Sequence, residues 1–126
     1  MSMFDKTTDA LAATIQMRQI RHNVTSANIA NAETPHYHAK KVDFENVLAS
    51  AIETQGLVGD GLAGKPIQNV KADVYENPDV AVNNDGNTVD LEKEMSALAE
   101  NSIMYKTALQ LINKKMAALK YALGER

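Results

Sequence analysis

The last third of the chain, from Asp90 onward, does most to limit what the chain can fold into. Met95, Leu98, Ser102, Tyr105, Leu109, Ile112, Met116, Leu119 and Leu123 follow one another at intervals of 3, 4, 3, 4, 3, 4, 3 and 4 residues. All but Ser102 are apolar, so the run is a heptad seam on one long helix. A second row, Met104, Ala108, Leu111, Ala118 and Ala122, runs beside it, with Lys115 as its single interruption. Each residue turns a helix by about 100°, which sets the two rows roughly that far apart. Together they make an apolar face wider than one partner helix needs. Asp90, Glu92 and Glu94 open the segment, and Lys114, Lys115, Lys120 and Arg126 close it, the order that suits a helix macrodipole. No Pro or Gly interrupts it before Gly124. Such a helix requires partners.

A first long helix is expected from Phe4 to Ala32, and it too carries two rows. Ala10, Ala13, Met17, Ile20, Val24 and Ala27 form one; Phe4, Leu11, Ile15, His22 and Ile29 form the other. Leu11 and Ala13 stand about 200° apart by helical geometry, so these rows face opposite ways. That pattern predicts a helix sandwiched between neighbours. Asp5 and Asp9 come early and Arg18 and Arg21 later, again matched to the dipole. Thr34-Pro35 is expected to end the helix, because a residue before proline is pushed out of the α region.

The middle of the chain is short and mixed. Tyr37 to Phe44 reads as an extended or irregular piece, locally basic at Lys40-Lys41. Phe44, Val47, Leu48, Ala51 and Ile52 give a brief amphipathic helix. Gly56, Gly59, Gly61 and Gly64 make Gln55 to Pro66 a loop. Val70, Ala72 and Val74 alternate with Lys71, Asp73 and Tyr75 as a strand does, and Val80 and Val82 suggest a second short one beyond Asn77-Pro78. Asn83-Asn84-Asp85-Gly86-Asn87 is a turn, after which Asn87 or Thr88 is expected to cap the last helix. The fold class expected is mainly α, with long N- and C-terminal helices pairing as a coiled coil around a small irregular or β-containing middle. Its segments are 1–35, 36–86 and 87–126.

Composition narrows the function classes. At 126 residues the chain is one domain by size, with a net charge of −3 that argues against a nucleic-acid or anionic-membrane partner. No apolar run approaches the roughly 20 residues of a membrane span. The opening Met1-Ser2-Met3-Phe4-Asp5-Lys6 lacks the basic and apolar regions of a cleaved signal. The absence of Cys removes disulfide and thiolate chemistry. His36 and His38 could place two imidazoles on one side of a strand, but Glu33 and Asp43 have no ligand spacing to them, so loop histidines are the better reading. His22 reads as an interhelical contact. No nucleophile, phosphate loop or small-molecule site is marked out, and neither metal nor cofactor is expected. The methionines read as fillers of the seams.

The segment Ser26-Ala27-Asn28-Ile29-Ala30-Asn31-Ala32-Glu33-Thr34-Pro35-His36-Tyr37 resembles the N-terminal signature of bacterial flagellar rod and hook proteins. Their pattern runs Ala-Asn-x-Ile-Ala-Asn-x-x-Thr-Pro-Gly-Tyr, so His36 stands where the family usually has Gly. Asp85-Gly86-Asn87-Thr88-Val89-Asp90, followed by Glu92 or Glu94 and later by Asn101-Ser102 and Tyr105, is similar to the C-terminal part of the proximal rod proteins. The resemblance covers both terminal helices and hardly touches residues 38–84. It implies a structural subunit of the axial rod in the periplasm, exported through the flagellar type III apparatus without signal cleavage. It further implies as neighbours other copies, other rod proteins, and proteins at the export-gate junction. Asn28 and Asn31 would fix the helix end and turn by side-chain-to-backbone hydrogen bonds. The residues expected to carry assembly are Met17, Ile20, Val24, Ala27, Asn28, Asn31, Tyr105, Leu109, Ile112, Met116, Leu119 and Leu123. Thr34, Pro35, Gly86, Asn87 and Thr88 are the expected turn and cap residues. The alternative is a soluble helical adaptor or secretion chaperone.

Overall fold

A computed structural model describes residues 6–58 and 71–124. Helix α1 spans Lys6–Ala30, strand β1 Lys40–Asp43, helix α2 Glu45–Val58, strand β2 Asp73–Glu76 and helix α3 Leu91–Ala122. The molecule is mainly helical, and its two long helices pack against each other. They run antiparallel: Asn28 of α1 meets Glu94 near the start of α3, and Arg18 meets Asn101 further along.

The way α1 lies on α3 explains the two rows. Asn101 and Ala108 are the buried residues of α3, and Glu94, Ile112 and Leu119 are half-buried. Ile112 and Leu119 belong to the seam and Ala108 to the second row, while Glu94 and Asn101 lie between, so at about 100° per residue the covered strip runs along the edges where the two rows face each other. Helix α1 thus occupies the valley between the rows and leaves the outer flank of each exposed. Met95, Met116 and Leu123 stand out on one flank, Met104 and Leu111 on the other.

Helix α1 is sandwiched between α3 and α2, both of its own chain. Ala13 and Met17 join Phe44 and Ala51 in the buried core, with Ala10, Ile20, Val47, Leu48 and Ala72 packed around them. The first row of α1 is therefore largely spent on α2. Burying such a cluster is worth on the order of 1.5–3 kcal/mol per large side chain.

Several local expectations give way to tertiary contacts. Helix α1 stops at Ala30, not at Thr34-Pro35, because Asn31 turns its side chain back and donates from Nδ2 to the carbonyl of Ala27 at 2.8 Å. Arg18 and Arg21 lie well before the last turn of α1, and they bind Asn101 and Glu45 rather than the helix end. Helix α2 continues through Gly56 to Val58, so residues 55–58 are helical and not loop; residues 59–66, the remainder of that expected loop, lie outside the described residues. Val70 lies outside them as well. Strand β2 pairs antiparallel with β1, Val42 opposite Val74 and Lys41 opposite Tyr75. The piece read as irregular is thus its partner, and Val80 and Val82 form no strand. A single short hairpin would be marginal in water; a strand brought in from before α2 lets α1 support the pair through β1. Finally, the N-cap of α3 is Asp90, whose carboxylate accepts from the backbone N–H of Lys93 at 3.2 Å. Asn87 and Thr88 do other work.

Candidate functional site

The end of α1, the turn after it, β1 and the approach to α3 meet in one polar junction built around buried asparagines. The most buried large side chains among the described residues are Asn28 at 1%, Asn87 at 0% and Asn101 at 2% exposure. An amide has two N–H donors and two acceptor lone pairs, and burying them unpaired is costly.

Asn28 has all four satisfied. Its Nδ2 donates to the carbonyl of Lys40 at 2.8 Å and to Glu94 Oε2 at 3.2 Å. Its Oδ1 accepts from the backbone N–H of Lys40 at 3.0 Å and from the hydroxyl of Tyr37 at 3.3 Å. The amide imitates the edge of a neighbouring strand and stitches α1 to β1 while reaching α3. Asn87 works on the turn. Its Nδ2 donates to the carbonyls of Asn31 and Thr34, at 2.8 and 2.7 Å, and its Oδ1 accepts from the N–H of Val89 at 2.7 Å. Each carbonyl also accepts a local N–H, Asn31 from Thr34 and Thr34 from Tyr37; a side chain more than fifty residues away supplies the second bond. Asn101 donates from Nδ2 to the carbonyl of Arg18 at 2.8 Å, and Arg18 Nη1 returns a longer bond of 3.4 Å to Oδ1.

Backbone pairing closes the junction. The N–H of His36 donates to the carbonyl of Asp85, and the N–H of Thr88 donates to the carbonyl of Tyr37, each at 3.0 Å. Thr88 Oγ1 accepts from the N–H of Ala39 at 2.8 Å. Thr34 Oγ1 donates to Asn31 Oδ1 at 3.1 Å, holding the Asn31 amide on Ala27. His36 sits at φ 61°, in the left-handed region that suits glycine, so it carries backbone strain at the position where the resembled pattern has Gly. Gly86 opposite it has φ 81°, and a Cβ there would lie 2.5 Å from His36 Nδ1. Both backbone conformation and space demand glycine at 86.

Charge reinforces the frame. Arg21 grips both carboxylate oxygens of Glu45 and also donates to the carbonyl of Val42 at 3.0 Å, tying the start of α2 to α1. That hydrogen bond holds the Glu45 carboxyl down at about 2. The Glu94 carboxyl is pushed the other way, first by burial and then by the nearby Asp90, although the Asn28 amide opposes the rise. A cleft of about 320 Å³ beside these groups is lined by Arg18, Arg21, Lys40, Lys41, Lys93 and Glu94 among others. A second, of about 280 Å³, lies between α1 and α3 at His22, Asn101 and Tyr105. Among the described residues no cluster of three or more His, Cys, Asp or Glu is placed to hold a metal.

The residues expected to carry assembly divide into four groups. Met17 is buried in the core and Ile20 packs against it, so both support the interior of this chain. Asn28 and Asn31 belong to the polar junction, and Val24 lines the first cleft. Tyr105, Leu109, Ile112 and Leu119 of α3 are half-buried, whereas Ala27, Met116 and Leu123 are exposed. Of the expected turn residues, Thr34, Gly86, Asn87 and Thr88 all enter the junction. Sequence reasoning missed Asn101 and Glu94 as junction residues. The available signal was a pair of polar residues on the side of α3 that the two apolar rows enclose.

A saturated polar clamp at one end and a helix with two open apolar flanks define a helical structural subunit, one made to dock. Comparison with known proteins gives the particular kind. A family model described as flagella basal body rod protein matches residues 10–37, the second half of which holds the Asn28 and Asn31 turn. The chain is similar to the flagellar basal body rod protein FlgB of Cereibacter sphaeroides, with 37% identity over 89% of both chains. It is 36% identical to that of Aeromonas hydrophila, over 98% of this chain and 97% of the other, and 31% identical to that of Bacillus subtilis over the same shares. The chain belongs to the FlgB family of flagellar basal body rod proteins. It is a structural subunit of the proximal rod in the flagellar basal body, and not an enzyme. Among the described residues no helix is long and apolar enough to cross a membrane.

Proposed function

We propose that this subunit polymerises through its terminal helices into the hollow, torque-transmitting axial structure. Its partners are copies of itself, other rod proteins, and proteins at the junction with the export gate. In this reading residues 1–35 and 87–126 build the rod core, and residues 36–86 form the small segment between them. The rod lies in the periplasm, reached by export through the flagellar type III apparatus without a cleaved signal.

The observation that carries this reading is the placement of α1 in the valley of α3. Met95 on one flank is 57% exposed and Leu111 on the other 49%, on a helix whose partner within the chain is already seated. Large side chains exposed in rows on both sides of one helix mark contact surfaces. A rod subunit in a tube has lateral neighbours on two sides, which would cover both flanks. Met17, Ile20, Val24, Ala27, Asn28 and Asn31 then act by holding α1 in place, and Tyr105, Leu109, Ile112, Met116, Leu119 and Leu123 by lining the seam.

The test replaces flank residues that the isolated chain does not bury. Met104→Asp with Leu111→Asp should leave the helix content of the purified chain unchanged and abolish swimming, with the protein still produced. Wild-type swimming from the double variant would overturn the role of that flank.

A further inference from the structure

The charges along the second half of the chain are segregated. From Asn77 to Glu100 there are six acidic residues and one lysine; from Asn101 to Gly124 there are four lysines and no acid. Acids cluster at the head of the molecule: Asp79 and Asp85 on the approach to α3, Asp90 at its cap and Glu92 in its first turn, all exposed. The other end carries Lys106, Lys114 and Lys120, likewise exposed. The lysines near the head, Lys40, Lys41 and Lys93, line the cleft with Arg18, Arg21 and Glu94.

The helix macrodipole accounts for only part of this. Its influence fades within the first and last turns, whereas Lys106 and Lys114 stand well before the last turn of α3 and Asp79 and Asp85 precede the helix altogether. Nor can the two ends neutralise each other within one molecule. From Glu92 to Lys120 the helix rises on the order of 40 Å, several times the screening length of about 8 Å at physiological salt.

The apolar surface is divided in the same way. On the approach to α3 Val82 is 67% exposed and in its first turns Leu91 and Met95 are exposed, while at the tail Tyr121 is 85% exposed and Leu123 is exposed too. The tail also outruns the described part of its partner. Since Arg18 lies at Asn101 in an antiparallel pair, Lys6 comes level with about residue 113 of α3, and the last turns of α3 continue past the described start of α1.

We propose that the lysine-bearing last turns of α3 in one copy seat against the acidic, apolar-edged start of α3 in the next copy. This is a head-to-tail contact between copies of this chain, and it rests on the assembly reading above. A contact between two different patches of the same molecule is heterologous, and it repeats into an open filament unless the rotation closes a ring. Opposite charges choose the orientation and speed the encounter, while Tyr121 and Leu123 supply apolar burial against Val82, Leu91 and Met95. Head-to-head and tail-to-tail pairing are both repelled.

Charge reversal tests this on the full chain. One variant carries Lys114→Glu with Lys120→Glu, the other Asp79→Lys with Glu92→Lys. Sedimentation velocity should show wild-type chains associating more strongly at about 0.05 M than at about 0.5 M salt. Each variant alone should associate at least about tenfold more weakly at the lower salt. An equimolar mixture should recover association, because each reversed end then meets its complement. Recovery in the mixture also shows that both variants are folded. If both variants associate as wild type does, or if the mixture associates no better than its components, the head-to-tail contact is overturned. Wild-type chains that stay monomeric at all concentrations overturn it too, yet swimming by cells carrying only that chain would leave the rod role standing.

Discussion

The polar junction at the head of the molecule and the distal half of α3 are opposites in how they satisfy their chemistry. In the junction every donor and acceptor of Asn28 finds a partner within the chain, and Asn87 holds the ends of two distant segments together. Along distal α3 the large side chains of Leu111, Tyr121 and Leu123 remain in water. Polar networks are directional and must be complete to be tolerated in an interior, so the chain has to complete its own. Apolar surface is not directional and can wait for a neighbour. The head therefore sets the shape of the subunit, and the tail leaves surface for the next one.

The largest effect is expected where the junction is broken. Asn87→Leu strands the buried N–H of Val89 and removes one of the two bonds to each carbonyl of Asn31 and Thr34, and should cost about 2–4 kcal/mol. Urea denaturation followed by circular dichroism would measure it. A loss below about 1 kcal/mol would mean that the head is less self-contained than its hydrogen bonds indicate. Next comes Leu109→Asp, which sets a charge on the half-buried seam and should cost about 2–4 kcal/mol. Swimming should be lost while the protein is still made, and wild-type swimming would remove the seam from the assembly.

Smaller effects come from the strained turn. Gly86→Ala meets both a positive φ and His36, and should lower stability by about 1–2 kcal/mol. His36→Gly should do the reverse, raising it by about 0.5–1 kcal/mol. Thermal melts of the two variants check the pair, and a destabilising His36→Gly would show that the imidazole contributes more than its backbone costs.

The pH dependence should be smaller still. The Glu45 carboxyl is depressed to about 2 from an ordinary 4.5, so its contribution is present above the higher value and is lost as pH falls toward the lower. Glu94 is raised and acts in the opposite sense, gaining stability as it protonates. Glu45→Gln should therefore flatten the acid limb of a stability-against-pH curve. Its side chain is 54% exposed, which limits the effect to about 1 kcal/mol or less. An unchanged acid limb would dismiss the Arg21–Glu45 pair as a brace. Last, limited proteolysis of the free chain should cut α3 beyond Ala108 before it cuts the junction, since protection follows burial. Earlier cuts near Asn31 or Asn87 would reverse the comparison.

The long helices, their paired rows and the family signature were legible because each is a local or periodic property of the chain. The spacing of Met95 to Leu123 specifies a helix with surplus apolar surface whatever it meets, and Ser26 to Tyr37 carries its motif in twelve neighbouring positions. Tertiary structure alone decided how those features were used. Pairing β1 with β2 depends on a partner some thirty residues away, and the alternation that marks a strand does not name that partner. Asn87 reads locally as a helix cap; it became a clamp because folding brought the carbonyls of Asn31 and Thr34 to it and left Asp90 to cap α3. Helix α2 ran on through Gly56 because glycine disfavours a helix by only about 1 kcal/mol, too little for a lone glycine to end one. A periodic pattern fixes which residues share a face. Which face is covered, and by what, depends on where the rest of the chain comes to lie.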